Sequence, residues 1–364
     1  MIVFTTIPNK RNGFLDATKT IATILIILHH FQQSVDVRFS VINLWDGPFY
    51  LGKLVELFFI ISGFLMTPYI SKIDEGLSFK TFFVRKYLRL IPFVAISTVI
   101  DLIIKCVLNY EFYIEKPLKI LLETASVALG IHAIINQDIS FANNPMWYVS
   151  CLLWCYVVFY FVFAVFKRMP MKNSVVCLSF ACLLILLGYC ILLFDFNYPF
   201  FNEYIGRSLV SFFSGVFLGV ILYKVPLSKN TIVPILIFIV IGFFIPILYY
   251  RSLSYRHETI LYLIIFCYAP VIILSKTDLF IKIFNHSIWS LMARISFHAF
   301  CFHIPVNGML TILFSSDAAR ERIYSNGLLS MIIYLVIVYG FSILTYFAIE
   351  KPLFRNDRVR KIIG

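Results

Sequence analysis

The sequence predicts an all-α fold, a polytopic transmembrane helix bundle of about ten spans with both termini in the cytoplasm. Three observations predict it. The chain is 60% hydrophobic and only 14% charged, whereas a soluble domain carries about 25% charged residues. Apolar runs of about 20 residues, long enough to cross a bilayer as helices, recur along the whole length. Basic residues also concentrate in alternate connections between these runs.

Ten apolar segments are predicted spans, and residues 1–364 are predicted to form a single domain because no linker or internal repeat is evident. Segment 118–135 is less apolar and carries charged residues, so we expect an interfacial or re-entrant helix there. The longest connection lies between about residues 109 and 145. The spans are approximately 14–34, 48–70, 89–109, 145–166, 174–194, 206–223, 230–249, 258–275, 295–314 and 327–349.

The charge distribution supports this topology. With the N-terminus inside, most of the 31 Lys and Arg residues lie in inner connections, while the Asp and Glu residues show the reverse bias, as the positive-inside rule expects. Counting segment 118–135 as a membrane crossing would move every later connection to the opposite side of the membrane and remove this bias. The net charge of +12 would suggest nucleic acid in a soluble protein. No basic segment interleaved with aromatics is present, so no nucleic-acid partner is predicted.

The eight cysteines lie within or at the edges of apolar runs, without zinc-ligand spacing, so we expect them to pack as small apolar residues. The first apolar run is too long for a cleavable signal peptide and ends in HHFQQ rather than in small residues. We therefore expect it to remain as the first span.

The first span, FLDATKTIATILIILHHF, contains Asp16, Lys19, His29 and His30. Ionisable side chains in hydrocarbon cost at least a few kcal/mol each, so they usually face a protein interior or a wet cavity. Lys19 and His30 share one helical face, about 16 Å apart along the axis. The segment therefore predicts a polar line through the protein.

These four residues are predicted to differ in role. Asp16 and Lys19 lie three positions apart and can pair, although Lys19 could instead extend to the headgroups as an anchor. His30 lies toward the outer half of the span, and its imidazole suits proton transfer near neutral pH. His29 points about 100° away, so we expect it to face other neighbours in a structural role.

Glu56 lies near the outer end of the second span and faces the same leaflet as His30. Ser62 and Gly63 at its middle permit close helix approach. A nucleophilic role for Ser62 is disfavoured because no G-x-S-x-G turn surrounds it. The span therefore predicts a packing contact with a carboxylate at one end.

The third and fourth spans add candidate ligand contacts. Arg85 and Arg89 lie four positions apart and share a face at the inner surface, where guanidinium groups bind a lipid or cofactor phosphate or simply anchor the helix. Trp147 fits an interfacial aromatic belt, and aromatic rings also stack on sugars. Both alternatives stay open for each position.

The last two spans carry further ionisable residues. His298 and His303 are predicted to be buried, but they point about 140° apart, and without a metal-ligand spacing no metal site is predicted. Glu350 lies at a cytoplasmic helix end, where the helix dipole disfavours a carboxylate. We therefore expect Glu350 to pair with a basic residue nearby.

Taken in order, these segments resemble the acyltransferase-3 superfamily of membrane O-acyltransferases. Members open with Asp-Gly-Leu-Arg and a catalytic His, followed by Phe-Phe-x-x-Ser-Gly-Phe, an Arg-rich run before Pro, Ser-Tyr-x-x-Tyr-x-x-His-x-Pro and a closing Glu-[Arg/Lys]-Pro. The resemblance covers essentially the whole chain. Matching positions are Asp16, Lys19 and His30, Phe58 to Phe64, Arg85, Arg89 and Pro92, Ser296, Phe297, Phe300, His303 and Pro305, and Glu350 to Pro352.

The chain departs from the family pattern at three places. Lys19 replaces the family Arg, which keeps the charge but loses the planar fork. Ala17 replaces the family Gly. Many members carry a Glu several residues after the Trp that matches Trp147, but here the sequence reads YVSCLL. No role for that Glu can be carried over.

The resemblance implies transfer of an acyl group, usually acetyl from acetyl-CoA, to a hydroxyl of an extracytoplasmic glycan or glycolipid. It implies a multi-pass protein of the cytoplasmic membrane, surrounded by lipid, with acyl-CoA as co-substrate and no tightly bound cofactor. The residues themselves suggest a catalytic set of His30, Lys19 and Glu56, with His30 as general base or as a transient acceptor of the acyl group, Lys19 stabilising negative charge and Glu56 orienting His30. Arg85 and Arg89 are predicted to hold the CoA phosphates. Further candidate lining residues are Asp16, Ser62, Trp147, His303 and Glu350.

Two other function classes also have about ten spans. A polysaccharide polymerase or flippase would typically need large extracytoplasmic loops with Arg or His, which are scarce here. A secondary transporter should show an internal repeat and broken helices at corresponding positions, and neither is evident. The sequence does not identify the acceptor sugar, the acyl chain or the oligomeric state.

Overall fold

The computed structural model describes residues 11–35, 44, 51–108, 115–135, 143–166, 174–224, 232–249, 258–313 and 327–355. Within these ranges the protein is helical and contains no β-strand, which confirms the all-α class. Both termini, residues 1–10 and 356–364, lie outside the described residues. Much of the long predicted connection, 109–114 and 136–142, also lies outside them.

The helices follow one another along the chain, and two π-helical turns, Ile264–Tyr268 and Tyr346–Glu350, interrupt the later ones. The helices are α1 (Gly13–Val35), α2 (Leu54–Met66), α3 (Tyr69–Asp74), α4 (Phe79–Leu108), α5 (Pro117–Ala128), α6 (Trp147–Phe166), α7 (Ser174–Leu193), α8 (Glu203–Lys224), α9 (Ile232–Tyr249), α10 (Glu258–Leu263), α11 (Ala269–Leu274), α12 (Asp278–Ile283), α13 (Ser287–Leu313), α14 (Gly327–Thr345) and α15 (Lys351–Arg355).

Seven helices in the described ranges are long and apolar enough to cross a membrane. The other three predicted spans coincide with α2, with α9 and with the α10–α11 segment, which are shorter there. The count of ten spans and the cytoplasmic termini stay predictions. The seven are Gly13–Ser34, Phe79–Leu108, Asn144–Val165, Ser174–Leu193, Glu203–Leu222, Ser287–Leu313 and Gly327–Arg355.

Two of the long helices begin well before their predicted spans. α4 begins at Phe79 rather than near residue 89, and α13 begins at Ser287 rather than near 295. Hydropathy marks only the part of a helix that lies in hydrocarbon, and amphipathic turns continue these helices beyond it. α5 has 12 residues, or about 18 Å, too short for a hydrocarbon core of about 30 Å. This length agrees with an interfacial or re-entrant helix.

The chain divides into two compact units. Unit 1 comprises Met1–Lys19, Lys53–Phe83 and Trp154–Ser290, and unit 2 comprises Thr20–Gly52, Val84–Leu153 and Leu291–Gly364. The expectation of one domain over 1–364 stays a prediction.

Unit 1 is organised around close packing of α2 on α8. A Cβ atom added at Gly63 would lie 1.9 Å from the carbonyl oxygen of Phe212, and one at Gly215 would lie 2.0 Å from that of Ile60. Only glycine permits backbones to approach this closely. The close approach predicted at Ser62 and Gly63 is therefore confirmed.

Unit 2 is organised around a hydrophobic core that α1, α13 and α14 share. Ile27 and Phe31 of α1 pack with Ala299 of α13 and with Tyr334 of α14. The rings of Phe31 and Tyr334 stack with centroids 4.5 Å apart. This core fixes α1 against α13 where their histidines lie.

Candidate active site

The candidate active site lies in unit 2, where α1 meets α13. The rings of His30 and His303 have centroids 5.2 Å apart and planes tilted by 34°. His303 is fully buried and His30 is half-buried. Ile27, Ala299 and Val306 belong to the buried cluster between the same two helices and hold them at this spacing. The structure therefore brings together two residues that the sequence singled out on distant spans.

Hydrogen bonds define the tautomer of each ring. His303 Nδ1 lies 2.7 Å from the carbonyl oxygen of Phe300, and His30 Nδ1 lies 3.0 Å from Oε1 of Gln33. Because these oxygens only accept, each Nδ1 donates, and each neutral ring keeps its lone pair on Nε2. His303 Nε2 is buried without a hydrogen-bond partner among the described residues. Gln33 thus takes the orienting position beside His30, and its spacing of three residues could have identified it.

Two unprotonated nitrogens cannot satisfy each other. Each is an acceptor, and each needs a donor such as a hydroxyl group. Two imidazolium charges at this separation would repel strongly, so the pair carries at most one proton beyond the neutral state. The arrangement is suited to removing a proton from a hydroxyl group bound between or beside the rings.

His29 has the surroundings of a structural residue. It is 1% exposed, and its Nδ1 donates to the carbonyl oxygen of Leu44 over 2.7 Å. The carbonyl of a residue beyond α1 is thereby tied to the helix. The two adjacent histidines face different partners, as their angular separation predicted.

Polar contacts support the backbone around His303. The hydroxyl of Tyr334 donates to the carbonyl oxygen of His303 over 2.7 Å. Nδ2 of Asn143 donates to the carbonyl oxygen of Cys301 over 2.9 Å and to Oγ of Ser97 over 3.3 Å. Asn143 therefore joins the start of α6, α4 and α13, a role that sequence reasoning missed because these residues are distant along the chain.

Asp16 and Lys19 lie in the part of α1 that belongs to unit 1. Asp16 is 4% exposed and forms an ion pair with Arg11, which precedes the helix. Lys19 is half-buried. The sequence predicted for Arg11 only a place among the basic residues on the cytoplasmic side, so its ion pair with Asp16 is an additional finding. The two roles considered for Lys19 stay predictions.

Glu56 forms a buried ion pair with Arg207 in unit 1. Nε of Arg207 lies 2.7 Å from Oε1 of Glu56, and Nη1 lies 3.4 Å from Oε1 of Glu203. Glu56 is 0% exposed and Arg207 is 9% exposed. The orienting role predicted for Glu56 toward His30 stays a prediction, whereas its contact with Arg207 is observed.

Sequence reasoning missed Arg207, although a signal for it was present. It is an arginine within the apolar span 206–223, and ionisable residues in such spans usually mark a functional or paired site. The same argument that selected Glu56 would have suggested Arg207 as its partner.

The remaining ligand candidates occupy different environments. Arg85 is half-buried and Arg89 is exposed, both near the N-terminal end of α4. Ser62 is half-buried in α2, beside the glycine contact with α8. Trp147 begins α6 and is half-buried, and the adjacent Tyr148 packs its ring 5.7 Å from that of Phe300.

Glu350 pairs with a histidine rather than with a lysine or arginine. His298 Nε2 donates to Glu350 Oε2, and His298 is fully buried. Glu350 ends the π-helical turn Tyr346–Glu350, and the ring of Phe93 packs on His298 with centroids 4.5 Å apart. The pair therefore ties the end of the last long helix to α13.

No group of three His, Cys, Asp or Glu residues that could hold a metal ion occurs among the residues that the structure describes. All eight cysteines are free thiols. His132, outside the long helices, is fully buried without a partner at either nitrogen in the described ranges, and burial lowers its pKa to about 3. His132 is therefore a neutral side chain at physiological pH.

The fold and this site define a multi-pass α-helical membrane protein with two adjacent histidine bases in unit 2. A family model for an acyltransferase domain, that of the acyltransferase-3 family, matches residues 12–347. The chain therefore belongs to the acyltransferase-3 family of membrane O-acyltransferases. No curated protein and no solved structure matches the chain.

Proposed function

We propose that this protein transfers an acyl group, acetyl as the first candidate, from acyl-CoA to a hydroxyl of a cell-surface polysaccharide or glycolipid. The single observation that carries the proposal is the His30–His303 pair, with a buried Nε2 that no described residue satisfies. Family membership supplies the reaction class. We place the protein in the cytoplasmic membrane, with the donor entering from the cytoplasm and the acceptor from outside.

The proposed chemistry follows from the tautomers. His30 Nε2 takes the proton of the acceptor hydroxyl while the hydroxyl oxygen attacks the carbonyl carbon of the thioester. The new C–O bond forms, the C–S bond breaks, and the thiolate of CoA leaves with the proton that His30 held. A hydroxyl group has only one proton to donate, so the Nε2 lone pair of His303 accepts from a second donor of the acceptor, such as a neighbouring sugar hydroxyl, and orients the acceptor. Gln33 keeps His30 in the productive tautomer.

Charged residues serve the donor in this proposal. Arg85 and Arg89 contact the phosphates of CoA, for which planar guanidinium groups are well suited. Lys19 stabilises negative charge, either at the thioester carbonyl or on CoA. Glu56 acts through Arg207 by holding α2 against α8, since that is the contact observed for it.

The test is acyl transfer by purified protein reconstituted with a glycan or lipid-linked acceptor and labelled acetyl-CoA. His30→Ala should lower the turnover rate by about 10²–10⁴-fold, the usual effect of removing a general base. His29→Asn is the matched control, because an asparagine amide can still donate to the carbonyl of Leu44. Wild-type rates in correctly inserted His30→Ala protein would contradict the mechanism.

A binding measurement separates this proposal from a polymerase, flippase or transporter. Acetyl-CoA should stabilise the purified protein against thermal unfolding, by an amount that grows with ligand concentration. No stabilisation at millimolar acetyl-CoA would favour the other classes. Loss of O-acetyl signals from surface-glycan NMR spectra of a deletion strain would then name the acceptor.

A further inference from the structure

In unit 2, the packing of α4 on α13 aligns the turn of α13 that carries Arg294 with the turn of α4 that carries Arg89. We propose that Arg294 of α13 completes one phosphate-binding site with Arg85 and Arg89, at the shared N-terminal ends of α4 and α13. The ligand chemistry is a phosphate monoester or diester. Its assignment to the CoA nucleotide rests on the function proposed above, and a lipid headgroup supplies the same chemistry.

Three contacts fix the register of the two helices. The ring of Phe93 packs 4.5 Å from that of His298, Asn143 bridges Ser97 Oγ and the carbonyl oxygen of Cys301, and a Cβ at Gly308 would lie 2.7 Å from Ile104. Residue numbers rise together on both helices with a nearly constant offset. α4 and α13 are therefore parallel and stay in register over about three turns.

The register extends to the arginines. Arg89 lies one turn before Phe93, and Arg294 lies one turn before His298, each rotated by about 40° from the contact residue. At a crossing angle of about 20°, the separation of two helices changes by only about 2 Å per turn. The turn of α4 that carries Arg89 therefore lies level with the turn of α13 that carries Arg294.

The opposite face of α4 confirms this orientation. The hydroxyl of Tyr87 donates to the carbonyl oxygen of Leu129, and a Cβ at Gly130 would meet Ile91. Tyr87 and Ile91 therefore face the α5 end. Arg89 lies about 160–200° around the helix from both of them, which directs it to the α13 side.

Two of the three arginines have no acidic partner among the described residues. Arg89 and Arg294 are exposed, and neither has an ion pair or hydrogen bond within the described part of the chain. The carboxylate on the facing helix end is Glu350, and His298 donates to it, while Lys351 beside it adds a further cation. Neighbouring guanidinium groups repel unless an anion lies between them, and a phosphate can accept from two arginines at once.

Phosphate binding is measured directly on the purified full chain in neutral detergent. Thermal unfolding is followed while adenosine 3′,5′-bisphosphate, and separately a short-chain phosphatidylglycerol, is titrated in. Arg294→Gln should raise the apparent Kd of the bound probe about tenfold, and Arg89→Gln should raise it by a similar factor. Each variant removes a charge-assisted hydrogen bond to the phosphate, and the loss of one such bond corresponds to about a tenfold change in Kd. Lys282→Gln, which removes an exposed cation of α12, is the control and should leave the Kd unchanged.

The outcomes separate this inference from the proposed function. Arg294→Gln protein that binds both probes as tightly as wild type would overturn the three-arginine site, even if acyl transfer proceeds. Wild type that binds neither probe would overturn it as well. Binding of phosphatidylglycerol alone, weakened by Arg294→Gln, supports the site with lipid as its ligand. Binding of the bisphosphate without any acyl transfer supports the site and counts against the proposed function alone.

Discussion

The Glu56–Arg207 pair in unit 1 and the His30–His303 pair in unit 2 are both polar contacts between two helices, but they differ in the charge and in the donors that the two partners supply. In the first, a donor with positive charge meets an acceptor with negative charge at 2.7 Å. In the second, two acceptors lie side by side, with ring centroids 5.2 Å apart. The first pair neutralises its own charge, although Oε2 of Glu56 has no hydrogen-bond partner among the described residues. The second pair supplies neither opposite charges nor a donor for its acceptors.

This difference separates a structural contact from a candidate reactive one. A buried ion pair with good geometry joins two elements and resists the loss of either partner. The Nδ1 atoms of the two imidazoles already donate elsewhere. His303 Nε2 is left as a buried lone pair without a donor among the described residues, and burying such an atom costs free energy. We infer that the cost is compensated when a substrate hydroxyl occupies the site.

Breaking the ion pair should produce the largest change in stability. Arg207→Met leaves the Glu56 carboxylate buried without its partner, which should lower the free energy of unfolding by about 3–5 kcal/mol. The double variant Arg207→Met with Glu56→Gln should recover much of this loss, because no unpaired charge remains. Denaturant titration in mixed micelles measures both. A single-variant loss below about 1 kcal/mol would show that the pair does not hold α2 to α8.

The His298–Glu350 pair extends the comparison, because in the same unit as His30 and His303 it joins a histidine donor to a carboxylate acceptor. Glu350→Ala leaves the buried Nε2–H of His298 without an acceptor and should cost about 1–3 kcal/mol of stability. Glu350→Gln keeps an acceptor oxygen and should cost less. Equal losses for the two variants, in the same titration, would mean that the hydrogen bond is not the stabilising contact.

The sequence identified the fold because bilayer-length apolar runs and alternating charge are strong, local signals. It placed the starts of α4 and α13 too late, since Phe79 to Leu88 and Ser287 to Arg294 are helical without being uniformly apolar. Hydropathy alone therefore located the seven long apolar helices but not the residues at which they begin.

The candidate site was predicted only in its parts. His30 and His303 each stood out as imidazoles in apolar spans, but their contact depends on how α1 packs on α13, which no local pattern encodes. Arg207 carried the same signal and could have been identified. Arg294 could not, because a cation at a helix end is ordinary until the register with α4 is known.

The most direct test compares His303→Asn with His29→Asn in the reconstituted acyl-transfer assay. Both variants keep a side-chain donor in place of Nδ1, so the bonds to the carbonyls of Phe300 and Leu44 can persist. Only His303→Asn removes an Nε2 lone pair from the pair of bases. We expect His303→Asn to lower the turnover rate at least about tenfold at unchanged stability. His29→Asn should have the turnover rate of the wild type. Equal rates for the two variants would contradict the proposed mechanism.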